Sequence, residues 1–301
     1  MVFFEDILAE QSRIEKAIKK YGYAPEHNFW WYCFQAEKDS KNVFVEFDNG
    51  TGLLTIEERD KKRNTIFSSP VASPLRRVPI IVEYLEHIFQ SSEIEKVTLE
   101  LETSLYKELL STLPTNIKVR AINYTLTWPV YDLETFDSSL QGGSWKTLRK
   151  AKNKFYQNHS VDMVDAKTYK DKEALNLIIN KWRGERGGHD RAHFFPYNNF
   201  IAGNFMGTDE ARVFVVDGKA VGINAGWLIP NSNRFYGALG IHDYSLPDLG
   251  DVLYLEDLVW LKSRDYKEAD MGGGEEALTN FKNKFQPKSF YKTHIFSVVK
   301  C

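Results

Sequence analysis

MGGGEEALTNFKNKFQPKSFY, the stretch from Met271 to Tyr291, carries the pattern that decides the fold. Three glycines follow an apparent strand, a short charged helix comes next, and an aromatic strand begins beyond a proline. Apolar residues recur on one stripe of the helix at about 100° per residue, and these are Leu278, Phe281 and Phe285. We predict that this stripe packs in the core, and that Lys282 and Lys284 flank it.

The glycine turn before this helix has two interpretations. Gly272 and Gly273 would let backbone amides approach a ligand at the helix N-terminus, where the helix dipole favours a carboxylate or phosphate. The alternative is a purely structural turn, because Glu275 and Glu276 lie in the same first turn and already satisfy its positive end.

Outward from this stretch, the second half of the chain reads as an α+β unit. Hydrophobic alternation predicts strands and three-to-four spacing predicts helices, in the order helix, strand, helix, three hairpin strands, helix, strand, helix, strand. The quoted segments are GSWKTLRKAKNKFYQNH, SVDMVDA, DKEALNLIINKWRGERG, ARVFVVD, AVGINAGWLIP, RFYGALG, DVLYLEDLVWLKSRD, KEADMGG, the helix above and THIFSVV.

The first half repeats this order loosely. Four short strands are predicted in FWWYCFQ, NVFVEF, GLLTIEE and NTIF, followed by a helix in SPLRRVPIIVEYLEHIFQ, whose regular start we expect Pro79 to delay. A strand (KVTLEL), a helix (SLYKELLSTL) and one long strand (IKVRAINYTLTW) complete the half. The sequence therefore predicts two similar units with mixed, mainly antiparallel sheets flanked by helices, residues 1–135 and 136–301.

Composition sets limits on the class of protein. The 301 residues are 43% hydrophobic and 27% charged, and Lys+Arg 39 against Asp+Glu 41 gives a net charge of -2, so no overall attraction to nucleic acid or anionic membrane is implied. Cys33 and Cys301 form neither a zinc-type spacing nor a disulfide framework. With no signal-like N-terminus and no long apolar run, we expect a cytoplasmic protein without a transmembrane segment.

These motifs resemble a known family. The second half resembles a GNAT-type acyltransferase, and the tandem resembles the soluble C-terminal region of phosphatidylglycerol lysyltransferases, which are themselves similar to Fem-type aminoacyltransferases. The resemblance spans roughly the whole chain and rests on MGGGEEALTNFKNKFQP, LRKAKNKF and NKWRGERGG. It implies transfer of an acyl or aminoacyl group to an amine or hydroxyl acceptor, with aminoacyl-tRNA as a candidate donor substrate.

One loop departs from the GNAT pattern. GNAT acetyltransferases hold the coenzyme A pyrophosphate with Arg/Gln-x-x-Gly-x-Gly/Ala, whereas this chain reads IHDYSLPDLGDVLYLEDL and keeps Gly250 alone. Asp248 and Asp251 would oppose a diphosphate, and Asp251 is better placed as a helix N-cap. Acetyl-coenzyme A is therefore a less favoured donor, and we assign no cofactor.

The basic helix GSWKTLRKAKNKFYQNH contains five Lys or Arg and no acid. Its charged face is either an ordinary solvated surface or a patch, including Arg149 and Lys150, that contacts the phosphates of a tRNA or an anionic lipid headgroup. We predict that Lys282, Arg149 and Lys150 face one shared cleft that binds an anionic donor or acceptor.

A second basic segment is KWRGERGGHDRAHFFPY. Arg183 and Arg186 could bind a carboxylate or phosphate, or they could simply be favourable cations at a helix C-terminus. His189 is a candidate base, although a lone loop histidine is more often a surface residue.

Catalytic groups are predicted from the implied chemistry. The chain contains no Gly-x-Ser-x-Gly, His-Glu-x-x-His or Walker motif and no paired Cys/His set, so hydrolase and metal-site interpretations are disfavoured. Acyl transfer needs a proton acceptor, for which Asp257, Tyr236 and Tyr291 are candidates, and charge stabilisation, for which Lys282 and Arg183 are candidates. Three classes stay open: an aminoacyl or acyl transferase, an acetyl-coenzyme A N-acetyltransferase with an atypical loop, and a noncatalytic binding module on the same fold.

Overall fold

The structure is a computed structural model that describes residues 1–91, 93–185 and 194–301. Its strands are β1 Val2–Phe4, β2 Lys41–Glu46, β3 Gly52–Glu58, β4 Arg63–Ile66, β5 Lys96–Glu102, β6 Ile117–Val119, β7 Tyr124–Asp132, β8 Val161–Asp165, β9 Glu210–Val216, β10 Lys219–Leu228, β11 Arg234–His242, β12 Glu268–Asp270 and β13 Ser289–Lys300.

Helices pack on both faces of these strands. They are α1 Gln11–Tyr21, α2 Phe29–Cys33, α3 Arg77–Ser91, α4 Thr103–Thr112, α5 Lys146–Asn158, α6 Lys172–Glu185, α7 Phe195–Ala202, α8 Leu249–Ser263 and α9 Glu276–Asn283. Three short 3-10 turns lie at Asp48–Gly50, Arg59–Lys61 and Pro74–Arg76.

The same strand–helix unit occurs in both halves and confirms the predicted α+β architecture. In each half an antiparallel meander is followed by a helix that crosses over to a parallel strand: β2-β3-β4, α3 and β5 in the first, and β9-β10-β11, α8 and β12 in the second. A helical crossover is the connection that a parallel pair requires.

The two halves nevertheless share one sheet. Its order is β1-β2-β3-β4-β5-β13-β7-β12-β11-β10-β9-β8, with β6 paired to β13 beside this path. The last strand of the chain, β13, pairs with β5 of the first half, whereas β7 of the first half pairs with β12 of the second. The boundary at residue 135 stays a prediction, and cleavage there would leave each half without a strand that it uses.

Two strand predictions in the first half are wrong. FWWYCFQ forms α2 because the Asn28 side chain accepts the Trp31 N–H at 3.0 Å and caps a helix, which overrides the aromatic strand preference. IKVRAINYTLTW divides into β6 and β7, although the intervening Arg120 and Asn123 amides still donate to β13. Pro79 lies within the first turn of α3 and does not delay it, since a missing N–H is tolerated there.

Two layers of helices cover the sheet of the second half. The face under α2, α6 and α7 packs around Trp31, Phe200 and Trp227. The opposite face packs against α5, α8 and α9 around Leu148 and Leu255. Because side chains alternate along a strand, each strand residue is committed to one of these two faces.

Candidate functional site

Acidic and aromatic side chains meet on the face covered by α2, α6 and α7, where β5, β13, β7, β12 and β11 run side by side. We call this group the seam cluster, since both halves of the chain contribute to it. Its members are Glu26, Glu100, Glu102, Trp128, Tyr236, Asp270, Tyr291 and Thr293.

Asp270 is the most deeply buried carboxylate of the seam cluster, with 0% of its surface exposed. It accepts hydrogen bonds from the Tyr291 hydroxyl at 2.6 Å and from the Gly272 N–H at 3.1 Å. Burial raises the pKa of Asp270 from its ordinary 3.8 to about 6, although both hydrogen bonds favour the charged form. A carboxyl group poised near neutrality can both hold and release a proton under cellular conditions.

A hydrogen-bonded chain continues from Trp128 toward the first half. The Trp128 indole N–H donates to the Thr293 hydroxyl at 2.8 Å, and Thr293 donates in turn to Glu100 at 2.5 Å. The Trp128 ring stacks on Tyr291 with a centroid separation of 5.5 Å and an interplanar angle of 16°. Strand β13 thus connects the two halves, because its Thr293 binds Glu100 of the first half and its Tyr291 binds Asp270 of the second.

Glu26 reaches this cluster from the loop before α2. Burial raises the pKa of Glu26, and the nearby Glu100, Asp270 and Glu102 carboxylates raise it further. Burial also raises the pKa of Glu100 and Glu102. Several like charges that face one another cannot all ionise freely, so this group shares protons.

The two tyrosines of the cluster keep their protons. Burial and the nearby Asp270 carboxylate raise the pKa of both Tyr236 and Tyr291 well above the ordinary value. A neutral phenol donates a hydrogen bond, so these side chains are suited to orient an acid or to stabilise a developing oxyanion. The structure therefore brings together Tyr236 and Tyr291, two of the three predicted proton carriers. Their raised pKa values suit them to donate hydrogen bonds and not to accept protons.

The third candidate, Asp257, lies on the opposite face of the sheet. Its carboxylate accepts a charge-assisted bond from the Arg212 guanidinium at 2.5 Å, and both side chains are less than a tenth exposed. Asp257 therefore does not share a face with Tyr236 and Tyr291, because strand alternation commits Arg212 to the α8 side; a catalytic role for Asp257 stays a prediction. Asp257 is in a buried ion pair, and burial raises its pKa against the opposing effect of Arg212.

The glycine turn supports the seam cluster structurally. Gly272 has a φ of +82°, which disfavours any side chain, and its N–H is the donor to Asp270. A Cβ at Gly273 would come within 2.5 Å of the Trp128 indole, so that ring needs a glycine beside it. The turn is thus built around Asp270 and Trp128.

Lys282 is enclosed by the same turn. Its ammonium donates to the carbonyls of Met271 at 2.6 Å and Gly272 at 2.7 Å, and the residue is 5% exposed. The prediction that Lys282 reaches outward is wrong, because the positive φ of Gly272 turns these carbonyls toward the helix. Lys284 is exposed and binds Asp251 of α8 at 2.9 Å.

The basic helix α5 lies on the far face, beside α8. Arg149 donates to the carbonyls of Leu140 and Gly142, whereas Lys150 is exposed. Two of the three cations predicted to share a cleft, Arg149 and Lys282, are therefore engaged by different backbone segments. The phosphate-contact role of this helix stays a prediction.

The second basic segment is described in part. Arg183 is exposed on α6 and lies over the Phe194 ring at 3.7 Å. Arg186 and His189 lie outside the described residues.

The N-terminus of α8 keeps its acidic character. Asp248 precedes the helix with a φ of +66° and makes no side-chain cap, and Asp251 is bound to Lys284, so the predicted Asp251 N-cap is wrong. His242 packs against Gly250, where a Cβ would meet the imidazole at 2.7 Å.

Sequence reasoning missed six members of the cluster: Glu26, Glu100, Glu102, Trp128, Asp270 and Thr293. A signal existed for three of them. In KVTLELE the apolar residues alternate with Thr98, Glu100 and Glu102, and KEAD ends β12 in the same way after the second crossover helix. Acids that alternate with the apolar residues of both crossover strands were the signal that the sequence offered.

Further observations bound the site. A surface cavity of about 400 Å³ is lined by Ala36, Glu37, Lys38, Phe194, Phe195 and Asn199, none of which belongs to the seam cluster. Over the described ranges, no three His, Cys, Asp or Glu side chains are grouped to hold a metal ion. Among the helices described, none is long and apolar enough to cross a membrane.

Solved structures share this fold along nearly the whole chain. L-PGS from Bacillus licheniformis matches with a TM-score of 0.68 at 15% identity, over 96% of this chain and 91% of that one. The C-terminal domain of a candidate lysylphosphatidylglycerol synthetase from Agrobacterium fabrum matches with a TM-score of 0.67 at 14% identity, over 97% and 91%. A tandem GNAT protein from the clavulanic acid biosynthesis pathway matches with a TM-score of 0.56 at 10% identity, over 99% and 98%.

No family model matches the chain, and no curated protein matches it in sequence. At these identities the structural likeness concerns the fold. The chain thus has the tandem GNAT-like architecture that the resemblance of its motifs implied.

Proposed function

We propose that this protein is an aminoacyl or acyl transferase that moves an acyl group to an amine or hydroxyl acceptor, with aminoacyl-tRNA as the favoured donor. The observation that carries the proposal is the seam cluster: buried carboxylates and neutral tyrosines on a sheet of acyltransferase architecture. Perturbed acids concentrated at one place in a fold are typical of catalytic sites.

The chemistry of acyl transfer matches these groups. An attacking amine or hydroxyl must lose a proton, and the acyl oxygen becomes negative as the tetrahedral intermediate forms. Carboxylates with raised pKa values can take the proton, and the neutral Tyr236 hydroxyl can donate to the oxyanion. Trp128 and Tyr291 would supply an apolar wall that keeps water from the acyl group.

The acidity of the cluster favours an aminoacyl donor over acetyl-coenzyme A. An aminoacyl group carries an ammonium that Glu26, Glu100 and Asp270 would attract, whereas an acetyl group gains nothing from them. The acids Asp248 and Asp251 at the start of α8 disfavour a diphosphate there. Exposed Lys150 on α5 fits contact with a tRNA or an anionic lipid headgroup, and we place the reaction in the cytoplasm.

The test is a transfer assay with two labelled donors. Purified protein is incubated with tRNA charged with a mixture of radiolabelled amino acids, or with radiolabelled acetyl-coenzyme A, and each donor is offered anionic lipid vesicles and soluble amines as acceptors. We expect label transfer from the tRNA donor, and a loss of about 100-fold or more in D270N.

E83Q is the matched control, because Glu83 is an exposed acid of α3 outside the cluster. Transfer from acetyl-coenzyme A alone would favour the second class, and no transfer from either donor would favour a noncatalytic module.

A further inference from the structure

We propose that Glu26 is the proton acceptor of the seam cluster, and that the second half of the chain holds its loop in place. This assignment rests on the proposed acyl transfer and names a residue for one of its steps. It makes the site a joint product of the two halves, because the base comes from the first half and Asp270 from the second.

Hydrogen bonding separates Glu26 from Asp270 and Glu100, although Glu26, Glu100 and Glu102 are all half-buried. Asp270 is fully buried and bound by Tyr291, and Glu100 is bound by Thr293. Glu26 is half-buried, and within the described chain its carboxylate has its own backbone N–H as hydrogen-bond donor. Glu102 is equally half-buried, but the positive charges of Arg77 and Arg234 oppose the rise in its pKa, whereas the carboxylates near Glu26 add to the rise in the pKa of Glu26. Glu26 is therefore the better proton acceptor of these two acids.

Bonds from the second half hold the Glu26 loop on both sides. The Trp227 indole N–H donates to the Pro25 carbonyl at 2.8 Å, directly before Glu26. The Asn231 side chain donates to the Gly22 carbonyl at 2.9 Å, and Asn28 donates its side-chain amide to the Gly207 carbonyl at 2.7 Å. This seven-residue loop, residues 22–28, is bonded to the second half at three points and so has a defined position relative to that half.

A buried histidine stiffens the loop from within. His27 is 1% exposed; its Nδ1 accepts the Tyr23 N–H at 2.9 Å, and its Nε2 lies 2.6 Å from the Ser69 carbonyl. Burial lowers the pKa of His27 to about 4, so the ring is neutral and Nε2 donates to Ser69. With the loop held in this way, the Glu26 carboxylate lies close enough to Glu100 and Asp270 for their charges to raise its pKa.

The step balances in atoms and charge. The acceptor amine attacks the ester carbonyl of the aminoacyl donor, a C–N bond forms, and its N–H proton passes to the Glu26 carboxylate. The C–O bond to the tRNA then breaks, and Glu26 returns the proton to the leaving hydroxyl. Nearby Glu100 and Asp270 make the carboxylate basic enough to accept a proton.

The first experiment measures kcat and KM with the donor and acceptor that the wild-type protein uses. E26Q should lower kcat about 10²- to 10⁴-fold, E26D should retain part of the activity, and the exposed-acid control E83Q should match the wild type. W227F keeps an aromatic side chain but removes the indole N–H that binds Pro25, so kcat should fall with KM unchanged within about threefold. An active wild type with an equally active E26Q would overturn the assignment.

A second experiment needs no substrate. A water-soluble carbodiimide with glycine ethyl ester modifies carboxyl groups that are both protonated and accessible, and peptide mapping at pH 7 should find Glu26 labelled ahead of exposed acids such as Glu83. W227F should change that labelling. Labelling of Glu26 no faster than Glu83 would refute the inference, whereas absent transfer in the wild type with selective labelling would refute the proposed reaction alone.

Discussion

Replacing Asp270 by asparagine should abolish a loss of stability that the wild-type protein undergoes as the pH rises through 6, while removing a group that the proposed reaction needs. Burial raises the Asp270 pKa from 3.8 to about 6, so the folded state binds its proton more tightly than the unfolded state does. The associated stability is complete below about pH 4 and is lost as the pH rises through 6.

The size of the effect follows from the shift. A change from 3.8 to about 6 is about 2.2 units, and at 1.36 kcal/mol per unit this corresponds to about 3 kcal/mol. Asparagine carries no charge at any of these pH values and keeps an oxygen that can accept from Tyr291. The free energy of unfolding of D270N minus that of the wild type should therefore rise by about 3 kcal/mol between pH 4 and pH 8.

Urea denaturation followed by far-UV circular dichroism, at five or six pH values, measures this difference. Because the other titrating groups are common to both proteins, their contributions cancel in the subtraction. D39N, which alters an exposed acid, should show no such rise. A difference between D270N and wild type that stays flat with pH would refute the burial argument.

Two further predictions concern packing and charge. Alanine at Gly273 places a Cβ within 2.5 Å of Trp128 and should destabilise the fold by about 1–3 kcal/mol, whereas alanine at Gly143, whose Cβ would meet nothing within 4 Å, should not; equal stabilities in urea would contradict this. D257N leaves the Arg212 guanidinium buried without its counter-charge and should cost about 3–5 kcal/mol by the same assay, and a loss under about 1 kcal/mol would show that the pair is dispensable.

The sequence predicted helices and strands correctly where the local hydrophobic pattern agreed with the way the segment packs in the fold. The strands β9 to β11 and the helix α8 are confirmed, and β9, β10 and α8 are buried on more than one side because helices cover both faces of the sheet. FWWYCFQ failed for a tertiary reason: aromatic residues favour strands, yet the Asn28 cap and burial against α6 and α7 select a helix.

The chemistry of individual residues suggested candidate catalytic groups, but it could not show which of them lie together in the fold. Tyr236 and Asp257 looked alike as proton carriers, and the sheet separates them onto opposite faces. Helical spacing places Lys282 at the edge of the apolar stripe of α9, and this suggested an exposed side chain. Spacing does not show which backbone segment packs beside that edge. The carbonyls of Met271 and Gly272 that enclose it depend on the turn at Gly272.

The sequence by itself determined the repeated order of elements and the glycine turn before α9, because these follow from local periodicity and backbone preference, while the GNAT-like fold was implied by the resemblance of its motifs to a known family. Tertiary structure alone decided the seam cluster. Glu26, Glu100 and Asp270 are far apart in the chain, and they meet because β13 crosses to pair with β5 while β7 pairs with β12. Strand exchange of this kind is a long-range pairing, and no local pattern in the sequence encodes which acids it will bring together.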